Sequence, residues 1–225
     1  EIVFDGGSLV YDRNGNKIKE LPYSEEDHQV VELEELLRPS AAPPADEPVF
    51  FSAREVGTGE DVIRYLTNEK NMEEIRQALV LGIRDYFQKM GFSKAILGAS
   101  GGIDSAVVQA LAVEALGKEN VRAILMPSQF STAHSVDDAV ALSKNLGNPY
   151  DIVPVKNIYE SFMQELKPLF KDLPFGLAEE NIQARTRGNL LMAIANKFGY
   201  VLLNTSNKSE LSTGYGTLYG DMAGG

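Results

Sequence analysis

Gly-Ala-Ser-Gly-Gly-Ile-Asp-Ser, residues 98–105, decides the reading of this chain. The octet follows a short apolar run, Ala95-Ile96-Leu97. It opens a stretch in which Ala106, Val107, Ala110, Leu111 and Leu116 recur at helical spacing. A strand, a Gly-Gly turn and a helix N-terminus in that order make an anion site. Gly101 and Gly102 let the backbone approach a ligand. The unpaired N–H groups of the first helical turn, aligned with the helix dipole, then face it. Ser100 and Ser105 add hydroxyls. Asp104 is an acid where a phosphate would sit, which is repulsive unless a divalent cation lies between them.

Working outward, the pattern stays regular from residue 72. A helix is expected over Met72–Met90, with Ile75, Leu79, Ile83, Phe87 and Met90 on one face. Strands are expected over Lys94–Leu97, Val121–Met126, Tyr150–Val155 and Tyr200–Asn204. Helices are expected over Ser135–Leu146, Ile158–Phe170 and Ala178–Phe198. Strands alternating with helices predict an α/β fold, a parallel sheet with helices on both faces. The polar runs after the first, second and fourth of these strands should share one crevice at the carboxyl edge of the sheet. Tyr86, Phe87, Tyr159, Phe162 and Phe198 have helical spacing and read as core.

The N-terminal third is different. Residues 1–37 form a short β-rich segment: Ile2-Val3-Phe4 and Ser8 to Tyr11 are strand-like, Asp12 to Asn16 is a hairpin turn, and Lys17 to Leu21 returns. His28 to Leu37 reads as a further strand or a short helix. Residues 38–71 read as a linker, with four prolines between 38 and 48. Residues 72–225 are the main domain.

Net charge is −11, and residues 1–60 carry −9 of it. The remainder is nearly neutral, so no basic patch argues for a nucleic-acid partner. Phosphate binding would rest on amides, a metal and a few cationic side chains. The chain has no cysteine, which excludes thiolate chemistry, and its two histidines, His28 and His134, are too few and too far apart in sequence to suggest a histidine metal site. His134 reads as a surface or capping-region residue. No apolar run has the length of a membrane span. A cytoplasmic protein, or a piece of one, is the expectation.

The octet is neither a Walker A loop, because no Gly-Lys-Ser/Thr is present, nor a dinucleotide fingerprint, because no Gly-x-Gly-x-x-Gly follows the strand. Ser-Gly-Gly-x-Asp-Ser resembles the pyrophosphate loop of the N-type ATP pyrophosphatases, which have a Rossmann-like, adenine-nucleotide alpha-hydrolase fold and cleave ATP between its α and β phosphates. Asn181-Ile-Gln-Ala-Arg185-Thr-Arg187, Asn204-Thr-Ser-Asn-Lys-Ser-Glu210 and Thr213 to Met222 narrow the likeness to the NAD synthetases. The likeness runs over residues 73–225. Tyr219 to Gly224 and the stretch from Phe4 to Leu36 resemble the glutamine-dependent branch. On that resemblance residues 1–37 are the end of a nitrilase-like glutaminase domain. Its Glu, Lys and Cys lie upstream, and the synthetase domain continues past residue 225.

The resemblance implies a ligase that adenylates deamido-NAD with ATP and then lets ammonia, drawn from glutamine, displace AMP. It implies that Gly98, Ala99, Ser100, Gly101, Gly102, Ile103, Asp104, Ser105 and Thr205 hold ATP. It gives Asn181, Arg185 and Glu210 to deamido-NAD, and Asp104 and Glu210 to Mg²⁺, without separating the two uses of Glu210. Arg187 serves the same phosphates or lies on an exposed helix face. Asp221 sits in a loop that closes on substrate in relatives. Relatives also build the deamido-NAD site across a homodimer interface, which the helix at 178–198 suits. No general base is expected, since the nucleophile is a carboxylate; Asp104, Ser100 and Ser105 act by electrostatic stabilisation. Two alternatives remain open at this point: another amidating ATP pyrophosphatase of the GMP or asparagine synthetase type, and an inactive nucleotide-binding fragment.

Overall fold

The computed structural model describes residues 6–12, 15–32, 63–65 and 67–224. The chain divides into two compact units, residues 1–82 and 83–225. The first holds an antiparallel hairpin, β1 (Leu9–Tyr11) and β2 (Lys17–Glu20). Asp12 closes its turn, accepting from the Asn16 backbone and side-chain N–H groups, both at 2.9 Å. Residues 28–32 form neither the strand nor the helix expected there. Residues 2–4, 33–37 and 38–62 lie outside the described residues.

Helix α1 (Glu69–Met90) crosses the boundary between the units. Val80 and Phe87 are its buried residues, whereas Ile75, Leu79 and Met90 are exposed, so only part of the expected stripe is inward. After α1 come β3 (Ala95–Gly98), α2 (Ile103–Leu116), β4 (Val121–Leu125), α3 (Ala133–Leu146) and β5 (Tyr150–Ile152). Then follow α4 (Lys156–Phe170), α5 (Leu177–Phe198), β6 (Val201–Leu202) and the one-and-a-half-turn helix α6 (Lys208–Thr213).

Strands β3 to β6 form a parallel sheet in the order β5-β4-β3-β6. The central strands β3 and β4 are mostly apolar and buried because both faces are covered, whereas the edge strand β5 carries Asp151 and an exposed Ile152. Alternation along β3 sends Ile96 to one side and Ala95 and Leu97 to the other. Ile96 packs with Ile124, Leu202 and Ala195 of α5. Ala95 and Leu97 pack with Phe87 of α1 and Ala112 of α2. Ala123 and Leu125 meet Ala139 of α3. Helices therefore lie on both faces, as the alternation predicts.

Three strands, β4, β5 and β6, end earlier than the sequence suggests. Val153 N still donates to Leu125 O at 2.8 Å and Val155 N to Pro127 O at 3.0 Å. Pro127 has no N–H to return, so the ladder stops there. The apolar stripe expected on α2 is also displaced. Its buried residues are Ser105, Gln109 and Ala112, while Val107 and Ile103 are exposed. Gln109 is wholly buried because its Nε2 donates to Ser143 Oγ and Asn148 Oδ1, both at 2.9 Å, tying α2 to α3. Of the five aromatics expected in the core, Phe87 and Tyr159 are buried; Tyr86, Phe162 and Phe198 are exposed.

Candidate functional site

The chain leaves β3 through Ala99 and Ser100 and turns at Gly101, whose φ is +85°. A Cβ at Gly101 would stand 2.2 Å from the Ser135 carbonyl oxygen, in the first turn of α3. Only a residue without a side chain brings the two helix N-termini this close. Two serines clip the loop. Buried Ser105 donates from Oγ to Gly102 O at 3.0 Å and accepts from Ser100 N at 3.3 Å. Ser100 Oγ accepts from Gly102 N at 3.1 Å and lies 3.1 Å from Ser105 Oγ. Gly102 is the N-cap of α2, and no side chain caps that helix. Its first-turn amides keep the positive end of the dipole directed at the loop mouth. Thr132 caps α3 by accepting from Ser135 N.

Behind the loop lies a cleft of about 420 Å³. Gly98, Ala99 and Ser100 contribute from β3, Met126, Pro127 and Ser131 from beyond β4, and Leu203, Asn204 and Thr205 from beyond β6. These three polar runs do share one crevice. The fourth wall is α5, through Ala184, Arg187, Gly188 and Leu191. The residues at i, i+3, i+4 and i+7 share one helix face. The same spacing puts Arg185 elsewhere: it is exposed, and its Nε donates to Leu218 O at 3.2 Å. Arg187 is the cation of the cleft. Its Nε donates to Met126 O at 3.3 Å, and among the described residues it has no ion-pair partner. Burial pulls its guanidinium below the ordinary value, and the charge of Asp221 opposes that shift.

The two carboxylates expected to hold a metal are linked through Asn207. Asp104, on the first turn of α2, is exposed. Glu210, on the first turn of α6, is half-buried and caps its own helix: Oε2 accepts from Asn207 N at 3.0 Å, while Asn207 Oδ1 accepts from Glu210 N at 2.9 Å. Asn207 Nδ2 reaches Asp104 Oδ1 at 3.4 Å. The two acids thus touch the same residue from different elements. Two hard oxygen donors beside the Gly98–Ser105 loop would fit Mg²⁺, which takes one or two carboxylates plus phosphate oxygens. Among the described residues no group of three acids or histidines forms a complete protein cage.

The segment 214–224 folds back on α5. Thr217 Oγ1 donates to Asn181 Oδ1 at 2.9 Å, and Thr217 N donates to Asp221 Oδ1 at 2.6 Å. Gly188 and Gly220 bring helix and loop together: a Cβ at Gly188 would lie 2.8 Å from Tyr219 O. Asn181 and Arg185 therefore hold this loop. Of the residues the sequence singles out, Gly98 to Ser100, Arg187, Thr205 and Asp221 line the cleft itself, and Gly101 to Ser105 form the turn and the start of α2 that follow. Met126, Leu203 and Arg187 are walls that motif reading passes over or leaves undecided. His134 is exposed beside the α3 cap.

Residues 75–225 match the family model described as NAD synthase. The chain belongs to the NAD synthase family. It is 50% identical over 232 residues to a glutamine-dependent NAD(+) synthetase of Synechocystis, covering all of this chain and 37% of that protein. It is 44% identical to the Thermotoga maritima protein of the same description, covering 41% of it. This NAD synthase chain thus spans about two-fifths of the length of the curated relatives it matches. Among solved structures it superposes on a glutamine-dependent NAD+ synthetase from Acinetobacter baumannii in complex with ADP. There the TM-score is 0.80 at 40% identity, over 98% of this chain and 38% of that one. An NMN synthetase from Francisella tularensis superposes with a TM-score of 0.62 at 30% identity, over 68% of this chain and 62% of that one. No described helix of the NAD synthase chain is long and apolar enough to cross a membrane.

Proposed function

We propose that this chain carries the ATP-using half of a glutamine-dependent NAD synthetase. The substrate is deamido-NAD. Its carboxylate oxygen attacks the α-phosphorus of ATP, the bond to the bridging oxygen breaks, and pyrophosphate leaves. Ammonia then adds to the acyl carbon of the adenylate, AMP departs with the C–O electron pair, and a proton is lost to solvent. The carbon–nitrogen bond formed is the amide of NAD. The observation that carries this reading is the Gly98–Ser105 loop opening on a cleft shared by the ends of β3, β4 and β6.

The nucleophile is already an anion, so no residue needs to remove a proton from it. The task is to bring two anions together and to stabilise the leaving group. The uncapped first turn of α2 presents amides to the phosphates. Ser100 and Ser105 fix the loop so that no reorganisation is needed when charge moves. Arg187 places a cation on the opposite wall, where burial strengthens its pull on an anion. Asp104 and Glu210 would hold Mg²⁺, which would supply Lewis acidity toward the pyrophosphate. The apolar wall of Met126, Val136 and Leu203 suits a purine base. Thr205, half-buried beside Asn204, serves the nucleotide. Asn181 and Arg185 bind deamido-NAD when the 214–224 segment gives them up. Residues 1–37 belong to the glutaminase domain, 38–71 to the linker and 72–225 to the synthetase domain. The protein works in the cytoplasm as a homo-oligomer, without nucleic acid or membrane partners, and takes ammonia from glutamine.

The test is a product balance. With ATP, Mg²⁺, ammonium and deamido-NAD, AMP and pyrophosphate should appear one for one with NAD. ADP and phosphate in their place would refute the reaction. Parallel arms with nicotinate mononucleotide, xanthosine monophosphate and aspartate as acceptors separate the NMN, GMP and asparagine synthetase chemistries. Nucleotide binding without turnover in every arm leaves the inactive-fragment reading.

A further inference from the structure

Besides the helical bond its carbonyl accepts from Leu211 N, Asn207 makes three hydrogen bonds, and helix capping accounts for two of those three. Its Oδ1 accepts from Glu210 N at 2.9 Å, and its own N–H donates to Glu210 Oε2 at 3.0 Å. These form a reciprocal cap on α6. The third contact leaves the helix. Nδ2 crosses to the first turn of α2 and meets Asp104 Oδ1 at 3.4 Å. The orientation of the amide is fixed by chemistry. Turning it over would set an oxygen against the Asp104 carboxylate and an NH₂ against the Glu210 N–H, two mismatched pairs. Serine or aspartate would cap the helix as well as asparagine does. Serine is too short to reach Asp104, and aspartate would present an acceptor to an acceptor. Only an amide joins an accepting and a donating end across this gap.

We propose that Asn207 is a positioning residue that holds the carboxylates of Asp104 and Glu210 at a common distance, so that one divalent cation meets both. Each acid spends one oxygen on Asn207. Asp104 Oδ2 and Glu210 Oε1 are left for the cation. Without the bridge, two anions on separate elements repel and splay, and the cation must draw them together. With it, that ordering is complete before the cation arrives. The inference rests on Asp104 and Glu210 being the Mg²⁺ ligands.

The test measures Mn²⁺ bound to the chain by electron paramagnetic resonance, in the presence of α,β-methylene-ATP, which cannot be cleaved. Asn207→Ser keeps the cap and removes the arm; Asn207→Ala removes both. Both should weaken Mn²⁺ by about fivefold, the weight of one side-chain hydrogen bond, while Asn207→Ser unfolds at the wild-type temperature. Wild-type Mn²⁺ affinity in Asn207→Ser would overturn the proposal. So would a loss in Asn207→Ala that serine restores, since that is capping alone. Asp104→Asn and Glu210→Gln serve as references. If neither alters Mn²⁺ binding, the metal reading itself fails and the proposal falls with it. If both lose Mn²⁺ and Asn207→Ser does not, the metal reading stands and only the positioning role is lost.

Discussion

Replacing Gly101 by alanine should distort the Gly98–Ser105 loop, and the structure gives the size of the effect. Gly101 has φ +85°, and the added Cβ would lie 2.2 Å from Ser135 O and 2.8 Å from Ser135 C. Those are backbone atoms of α3, so no side chain can swing aside. Loop or helix must move by about 1 Å to restore ordinary contact. The left-handed conformation costs an alanine about 1–2 kcal/mol. Forcing an extra methyl into a closed contact costs about 1–3 kcal/mol more. The sum, about 2–5 kcal/mol, is a large share of the stability of an ordinary domain. Gly199, at the end of α5, is the control: its φ is +69° and a Cβ there would meet nothing within 4 Å. Gly199→Ala should therefore cost only the dihedral part, about 1–2 kcal/mol. Urea denaturation of both variants compares the costs, and ATP affinity shows whether the loop has yielded in place of the fold. Gly101→Ala as stable as Gly199→Ala, with unchanged ATP affinity, would refute the close approach of Gly101 to α3.

Gly188→Ala should lift residues 217–220 off α5, because its Cβ would meet Tyr219 O at 2.8 Å and Gly220 O at 2.9 Å; faster chymotryptic cleavage at Tyr219 is the readout. Gln109→Leu should cost about 1–3 kcal/mol, since Asn148 Oδ1 loses its buried donor; urea midpoints measure it. Arg122 holds the Asp151 carboxyl below its ordinary value. A folded-state value below the unfolded one gives stability that is present above about pH 4 and lost as pH falls through the folded value. Asp151→Asn should flatten that acid limb in urea titrations between neutral and acidic pH. With no cysteine for a thioester, the chain should amidate deamido-NAD from ammonium and not from glutamine, which paired donor assays decide.

Much of the fold was legible because β3 and β4 are buried and read as apolar runs, broken in β4 only by Arg122, between turn residues. The loop was legible because Gly101 and Gly102 stand where a strand hands over to a helix. Helix faces were harder to read. On α2, hydrophobicity chose Val107 and missed Gln109, whose burial depends on partners 34 and 39 residues away. On α5, Arg185 and Arg187 share one motif, and only the phase set by Ala184, Gly188 and Leu191 tells which faces the cleft. The cap on α6 was written in the sequence as Asn207-x-x-Glu210, a capping-box spacing. What no local pattern could show is that the same asparagine reaches Asp104, 103 positions earlier.

A structure of the chain with Mg²⁺ and α,β-methylene-ATP tests the central claim most directly. The account predicts the triphosphate on the backbone amides of residues 100–105, with the base against Met126, Val136 and Leu203. A nucleotide bound elsewhere, with the Gly98–Ser105 loop untouched, would contradict it.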